Sequence, residues 1–191
     1  EKSADDVTKD ERNEVKPHTF APLYYAKGGN EPVHIKKYYS EFYTIYHGHQ
    51  EWLWDQFDQV IATGKIRSPS GREYAFPGTR RLRGREISNS TKISNYKIQG
   101  FATGDIVPVA CIRAFRRFKE LNLKSLLILT VHDSILSDVY PGEEKVVFDT
   151  LHWAMAEVNT EIKSRWNYDM VVPLAIEAAI GKDWMNMSVI K

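Results

Sequence analysis

Two apolar runs, Leu126-Leu127-Ile128-Leu129-Thr130-Val131 and Ile135-Leu136, flank the short polar stretch His132-Asp133-Ser134. Runs of branched, β-favouring residues on either side of a tight polar turn predict two strands joined as a hairpin. Upstream, the spacing from about Asp5 to Phe57 is mostly helical. Gly28-Gly29 and Pro32 mark a break there, and a second helical run from Tyr38 to Phe57 is rich in Tyr, Phe and Trp whose rings are expected in the core. Residues 65 to 78 alternate in short segments about Ser70-Gly71 and end at Pro77, the pattern of a two-stranded ribbon. Residues 79 to 94 read as a basic connector. A helix is predicted from Gly104 to Leu121, with Asp105 near its start, Pro108 restricting its first turn, and Arg113, Arg116, Arg117 and Lys119 on its exposed side. Pro141-Gly142 introduces a further helix from Glu143 to Arg165, and a last strand is predicted from Val171 to Ile180. The sum is an α/β chain of the α+β kind, with packed helices and an antiparallel sheet.

Composition narrows this picture. The 191 residues, 42% hydrophobic and 12% aromatic, suffice for one sizeable core, or for one core with an appended subdomain. No run of about 18 apolar residues predicts a membrane span, and no signal peptide is visible, so the chain reads as intracellular and soluble. Cys111 is the only cysteine, which excludes an internal disulfide and a cysteine-based metal site. His47 and His49 are two apart and do not form a zinc pattern. The net charge of +1 hides a strong asymmetry. Between Gly64 and Lys97 stand Lys65, Arg67, Arg72, Arg80, Arg81, Arg83, Arg85, Lys92 and Lys97 against only Glu73 and Glu86, a local excess of seven positive charges. Such a concentration binds phosphates through counterion release and weakens steeply with salt.

Two sets of residues carry candidate chemistry. Arg12, Lys16, Phe20 and Tyr24 are spaced four apart, so on a helix they would form one stripe of two cations followed by two rings. Cations of this kind can meet phosphates, and the rings can face a sugar and a base. The plainer reading is an amphipathic helix with a solvated cationic face. Pro17 and Pro22 fall inside the stripe and predict a kinked or broken helix. The second set is Asp133 at the hairpin tip, which either closes the turn through its local backbone or presents a carboxylate to a divalent metal.

Taken together, the blocks resemble family A (DNA polymerase I-like) DNA polymerases, particularly bacteriophage types. Val131-His132-Asp133-Ser134 with Asp138-Val139-Tyr140-Pro141-Gly142-Glu143 is similar to that family's metal-binding palm hairpin, except that many relatives carry Glu where this chain has Ser134. Arg12-x3-Lys16-x3-Phe20-x3-Tyr24 resembles the fingers-helix motif, with Tyr25 in place of the usual Gly. Arg67 to Pro77 resembles the Gly-Arg ribbon, and Asn95-x3-Gln99-Gly100 the segment that meets DNA. Pro173 to Glu177 with Gly181-Lys182-Asp183-Trp184 resembles the family's C-terminal strand and terminus. The blocks occur in the family's order, which chance supplies far less readily than any one motif.

The resemblance implies a fingers portion over residues 1–88, with the nucleotide-binding helix and ribbon, and a palm portion over residues 89–191 with the metal-binding hairpin. It implies template-directed DNA synthesis by two-metal phosphoryl transfer with Mg²⁺. Arg12 and Lys16 would hold a deoxynucleoside triphosphate, Lys16 would protonate departing pyrophosphate, and Phe20 and Tyr24 would lie by the sugar and nascent pair. Arg72, Asn95, Gln99 and His132 would contact primer–template DNA, and Asp133 would bind metal. The family's other metal-binding Asp lies upstream of the fingers helix and has no counterpart here. The resemblance therefore implies that this chain is inactive alone and needs an upstream polymerase chain with the remaining palm, the thumb and, where present, an exonuclease. The implied setting is the cytoplasm, that of the host if the chain is phage-encoded. A non-catalytic, DNA-binding accessory subunit with a polymerase-derived fold is the alternative. A hydrolase built on His132 and Asp133 is disfavoured because neighbours on a strand point to opposite faces. A reverse transcriptase or single-subunit RNA polymerase fits the Asn95–Gly104 stretch less well.

Overall fold

The computed structural model describes Ser3 and residues 6–190. Asp5, where the first helical run was expected to begin, lies outside the described residues. The chain is a mixed α+β fold that divides into two compact units, Glu1–Ser68 with Arg72–Ile98, and Pro69–Gly71 with Gln99–Lys191.

In the first unit, α1 (Lys9–Phe20) begins at a reciprocal cap. The Glu11 amide donates to Thr8 Oγ1 at 3.2 Å, and the Thr8 amide donates to Glu11 Oε2 at 2.9 Å. The helix runs through Pro17 rather than breaking there. Pro17 removes the bond that would reach the Asn13 carbonyl, but α1 buries none of its residues, so water can serve that carbonyl. The change comes at Ala21, where the helix tightens into a 3-10 turn (Ala21–Tyr24) that accommodates Pro22. Tyr25 then takes the left-handed conformation with φ 68°, the role a glycine plays most readily. Packing holds it: the ring is 6% exposed and meets Phe57 edge-on at 4.8 Å. Trp54 Nε1 donates to its hydroxyl at 3.2 Å. Tyr43 Oη donates to the Pro22 carbonyl at 2.8 Å and lies 3.0 Å from that of Ala26, fixing the chain's exit from the turn.

The expected second helical run is two helices, α2 (Val33–Ile45) and α3 (His47–Thr63), interrupted at Tyr46. Leu53, Phe57 and Val60 on α3 follow the i, i+4, i+7 rule and form the core with Tyr25, Ile66, Phe76, Ile87 and Ile93. The aromatic residues here are thus largely structural. Gly64, with φ 73°, ends α3 and starts the ribbon of β1 (Lys65–Arg67) and β2 (Glu73–Ala75). The ribbon is antiparallel, with Ile66 opposite Tyr74, and closes where the Ser68 amide donates to the Arg72 carbonyl at 2.9 Å. The basic connector is shorter than expected, since α4 (Ser90–Phe101) starts within it and carries Asn95 and Gln99.

The second unit continues α4 without a break through a π-helical turn (Ala102–Ile106) into α5 (Val107–Glu120), so the helix expected from Gly104 begins fourteen residues earlier. Asp105 is buried in the π-helical turn and accepts a hydrogen bond from Ser70 Oγ at 2.7 Å. Phe101, Ile106, Val109 and Ala110 pack on Val158 and Ile162. Arg113 is not on the exposed side of α5. Its guanidinium lies over the Trp153 ring at 4.3 Å and 3.8 Å from the Glu161 carboxylate, because its position on the helix faces the two helices that carry those residues. The last helical stretch is two helices, α6 (Glu144–Ala156) and α7 (Val158–Trp166), separated at Glu157.

The predicted hairpin is present as β3 (Leu126–Val131) and β4 (Ser134–Asp138), with Val131 opposite Ser134. The register shifts between Leu127 and Leu129, a bulge that re-aims the side chains beyond it. The last strand departs from expectation. Residues 171 to 177 pair with no strand among the described residues, and regular structure resumes as β5 (Ala178–Gly181) against β6 (Met187–Ile190). Proline at 173 withholds one ladder donor, and a strand exists only where it has a partner.

Candidate functional site

Arg12, Lys16 and Phe20 all lie on α1, and Tyr24 closes the 3-10 turn that extends it. Four residues advance a helix by about 6 Å and 40°, so the face from Arg12 to Phe20 spans about 12 Å. That length suits a triphosphate at one end and a sugar at the other. Arg12 and Lys16 are exposed and form no ion pair among the described residues, and Phe20 is 46% exposed. A ring left in water on a helix that buries nothing is not there to build the core. Tyr24 is half-buried, held by the turn beside Tyr25.

The hairpin places His132 and Asp133 as its two turn residues. His132 adopts a left-handed φ of 53°, which bends the chain tightly and leaves both side chains exposed at the apex. The Ser134 hydroxyl turns back to donate to the Val131 carbonyl at 2.9 Å, so it serves the turn rather than a ligand. Asp133 makes no hydrogen bond or ion pair among the described residues, which leaves both its oxygens available. Sequence reasoning missed the anchor of this hairpin. The Glu143 carboxylate accepts from the amides of Lys124 and Ser125 and from Ser125 Oγ at 2.6 Å, fixing the root of β3. The Lys124 amide first, then the Ser125 hydroxyl, hold the Glu143 carboxyl below the usual range of its kind. Glu143 lies eighteen residues from Ser125, and no local spacing signals such a contact.

As a metal site this donor set is partial. No group of three or more His, Cys, Asp or Glu side chains that could hold a metal occurs among the described residues. A single exposed carboxylate suits Mg²⁺, which keeps several waters and takes one or two carboxylates, but it does not build a two-metal site.

The basic stretch divides into paired and unpaired cations. Arg81 and Arg85 meet Asp58 at 2.6 and 2.7 Å, and their hydrogen bonds hold that carboxyl below its usual range. Lys65 and Arg67 both meet Glu73. Lys97 is half-buried against Gln56 and the Trp52 ring, and burial lowers its pKa. Arg80, Arg83 and Lys92 have no acidic partner among the described residues. The outward field is therefore smaller than the raw excess of charge, and those three residues carry much of it. Arg72 is exposed just before β2, and Asn95 and Gln99 lie one turn apart on α4. No helix is long and apolar enough to cross a membrane among the described residues.

A family model described as DNA polymerase family A matches residues 1–186. DNA polymerase I of Lactococcus lactis subsp. lactis (strain IL1403) is 27% identical over 192 residues, covering 95% of this chain and 20% of that protein. DNA polymerase I of Mycobacterium leprae is 26% identical over 191 residues, covering 94% and 20%. The chain thus spans about one fifth of the length of these curated relatives. Among solved structures, the POL domain of Pol1 from M. smegmatis, in complex with DNA primer-template and dNTP, superposes with a TM-score of 0.71 at 26% identity, over 90% of this chain and 30% of that one.

Proposed function

The chain belongs to DNA polymerase family A, and from that premise we propose that it supplies the nucleotide-binding helix and one metal carboxylate of a template-directed DNA polymerase of bacteriophage type. The observation that carries this reading is Asp133: an exposed carboxylate without an internal partner, at the apex of a two-residue turn whose root Glu143 fixes. A carboxylate that merely closed a turn would bond its own backbone.

The reaction joins a primer 3′-hydroxyl to the α-phosphate of a deoxynucleoside triphosphate and releases pyrophosphate. Arg12 and Lys16 bind the triphosphate, and their charge favours the transition state in which negative charge spreads over its oxygens. Lys16 gives a proton to the leaving pyrophosphate. Phe20 packs against the deoxyribose, and Tyr24 lines the nascent base pair. Arg72, Asn95 and Gln99 contact the primer–template, and His132 supports the primer terminus. Asp133 would be one ligand of Mg²⁺, which when bound would supply positive charge to the reacting phosphate. The described residues offer one carboxylate to that task, so the second comes from an upstream polymerase chain bearing the rest of the palm, the thumb and any exonuclease. The setting is the cytoplasm.

Primer extension with Mg²⁺ and deoxynucleotides tests this, using the chain alone and then mixed with the upstream polypeptide of its source. Extension only in the mixture, abolished by Asp133→Asn with DNA affinity nearly intact, is the expected result. Full extension by the chain alone, or Asp133→Asn extending as well as wild type, would refute it. The second outcome favours the accessory-subunit reading, which the unpaired basic residues also support.

A further inference from the structure

The face of α4 that carries Asn95 carries two further groups. Lys92, Asn95 and Tyr96 follow the i, i+3, i+4 rule, so an ammonium, an amide and a phenol form one stripe about 6 Å long. The core takes the opposite side, where Ile93 and Ser94 are fully buried. Tyr96 is 48% exposed, and its hydroxyl makes no hydrogen bond among the described residues. Its ring is nonetheless held in place. Tyr74 on the ribbon meets it at 5.5 Å and 75°, and Phe76 meets it at 5.7 Å and 83°, both edge-to-face. A ring braced by two others has little conformational freedom left to lose on binding. Lys92 has no acidic partner among the described residues and stands one turn before it.

We propose that Tyr96 is a DNA-contacting residue whose ring packs on a deoxyribose of the primer–template duplex while Lys92 meets the adjacent phosphate, an inference that rests on the DNA-binding role proposed above. The local excess of positive charge complements the duplex. A braced ring beside an ammonium gives the duplex an apolar contact next to a charged one. Sequence order alone did not single out Tyr96. Its exposure and its bracing did.

The two side chains are separable by salt. Affinity of the chain for a blunt DNA duplex of mixed sequence, and for the same duplex with an unpaired 5′ template extension, is measured across a salt series. Tyr96→Ser is expected to weaken both about tenfold, the order of one aromatic contact to a nucleotide, without changing the salt slope. Tyr96→Phe is expected to bind like wild type, and Lys92→Gln to lower the slope by about one. Unchanged affinity of Tyr96→Ser overturns the proposal. A loss confined to the extended duplex overturns it in favour of stacking on an unpaired base. A loss in Tyr96→Ser matched by a fall in its thermal stability assigns the residue to ribbon packing instead, and equal losses in Tyr96→Ser and Tyr96→Phe overturn the ring contact in favour of the hydroxyl. Failure of the wild-type chain to bind either DNA overturns the underlying DNA-binding role itself, an outcome distinct from the others.

Discussion

Tyr25→Gly is the informative substitution in the link that follows the nucleotide helix, because it restores the residue usual in the resembling motif and yet should harm this protein. Glycine removes the strain of a left-handed non-glycine residue, worth about 1–2 kcal/mol. It also deletes a ring that is 6% exposed and packs on Phe57, and truncating a buried aromatic costs about 3–5 kcal/mol. The hydroxyl that accepts from Trp54 goes too, but Trp54 is half-buried and water can replace it at little cost. Glycine adds about 0.5–1 kcal/mol of backbone entropy to be lost on folding. The balance is a net loss of about 2–4 kcal/mol. Thermal unfolding followed by circular dichroism should show a midpoint lowered by about 4–16 °C for a chain of this size. Tyr25→Phe, which keeps the ring and the strain, should stay within about 1 kcal/mol of wild type. A Tyr25→Gly protein as stable as wild type, or more so, would show that the ring contributes nothing beyond its strain and would refute the account of how the link is held.

Two further outcomes follow from the anchors. Glu143 has its folded pKa depressed by the Lys124 amide and the Ser125 hydroxyl, so its contribution to stability is full above its unfolded pKa and fades as pH falls through the lower folded value. Melting curves between pH 6 and pH 3 should therefore fall less steeply for Glu143→Gln than for wild type, and parallel curves would remove Glu143 from the hairpin's support. Thr8→Ala removes half of the reciprocal cap and should cost about 1 kcal/mol. Because α1 buries none of its residues, the loss should show as faster amide exchange in its first turns, and unchanged exchange there would count against the cap.

Much of the fold was legible because its determinants are local. The hairpin about His132-Asp133, the ribbon about Ser70-Gly71 and the helical runs all follow from spacing and turn chemistry within a few residues. Departures arise where a distant partner decides. Tyr25 adopts a glycine-like conformation because Phe57, Trp54 and Tyr43 fix what surrounds it. Arg113 leaves the solvent for Trp153 and Glu161, forty or more residues away. Asp105 receives its bond from Ser70, thirty-five residues upstream. The candidate site divides in the same way: its residues were legible as types and spacings, while the freedom of Asp133 and the bracing of Tyr96 needed coordinates.

The segment from Val171 to Glu177 shows the limit most clearly. Its composition is that of a buried strand, yet it forms no ladder among the described residues, and Val171 is 94% exposed. The same unit leaves Leu126, Ile128 and Leu129 of β3 open to water. Apolar side chains left open on a strand and on an irregular segment are surface of the kind that folded proteins cover, and local sequence pattern cannot say what covers them.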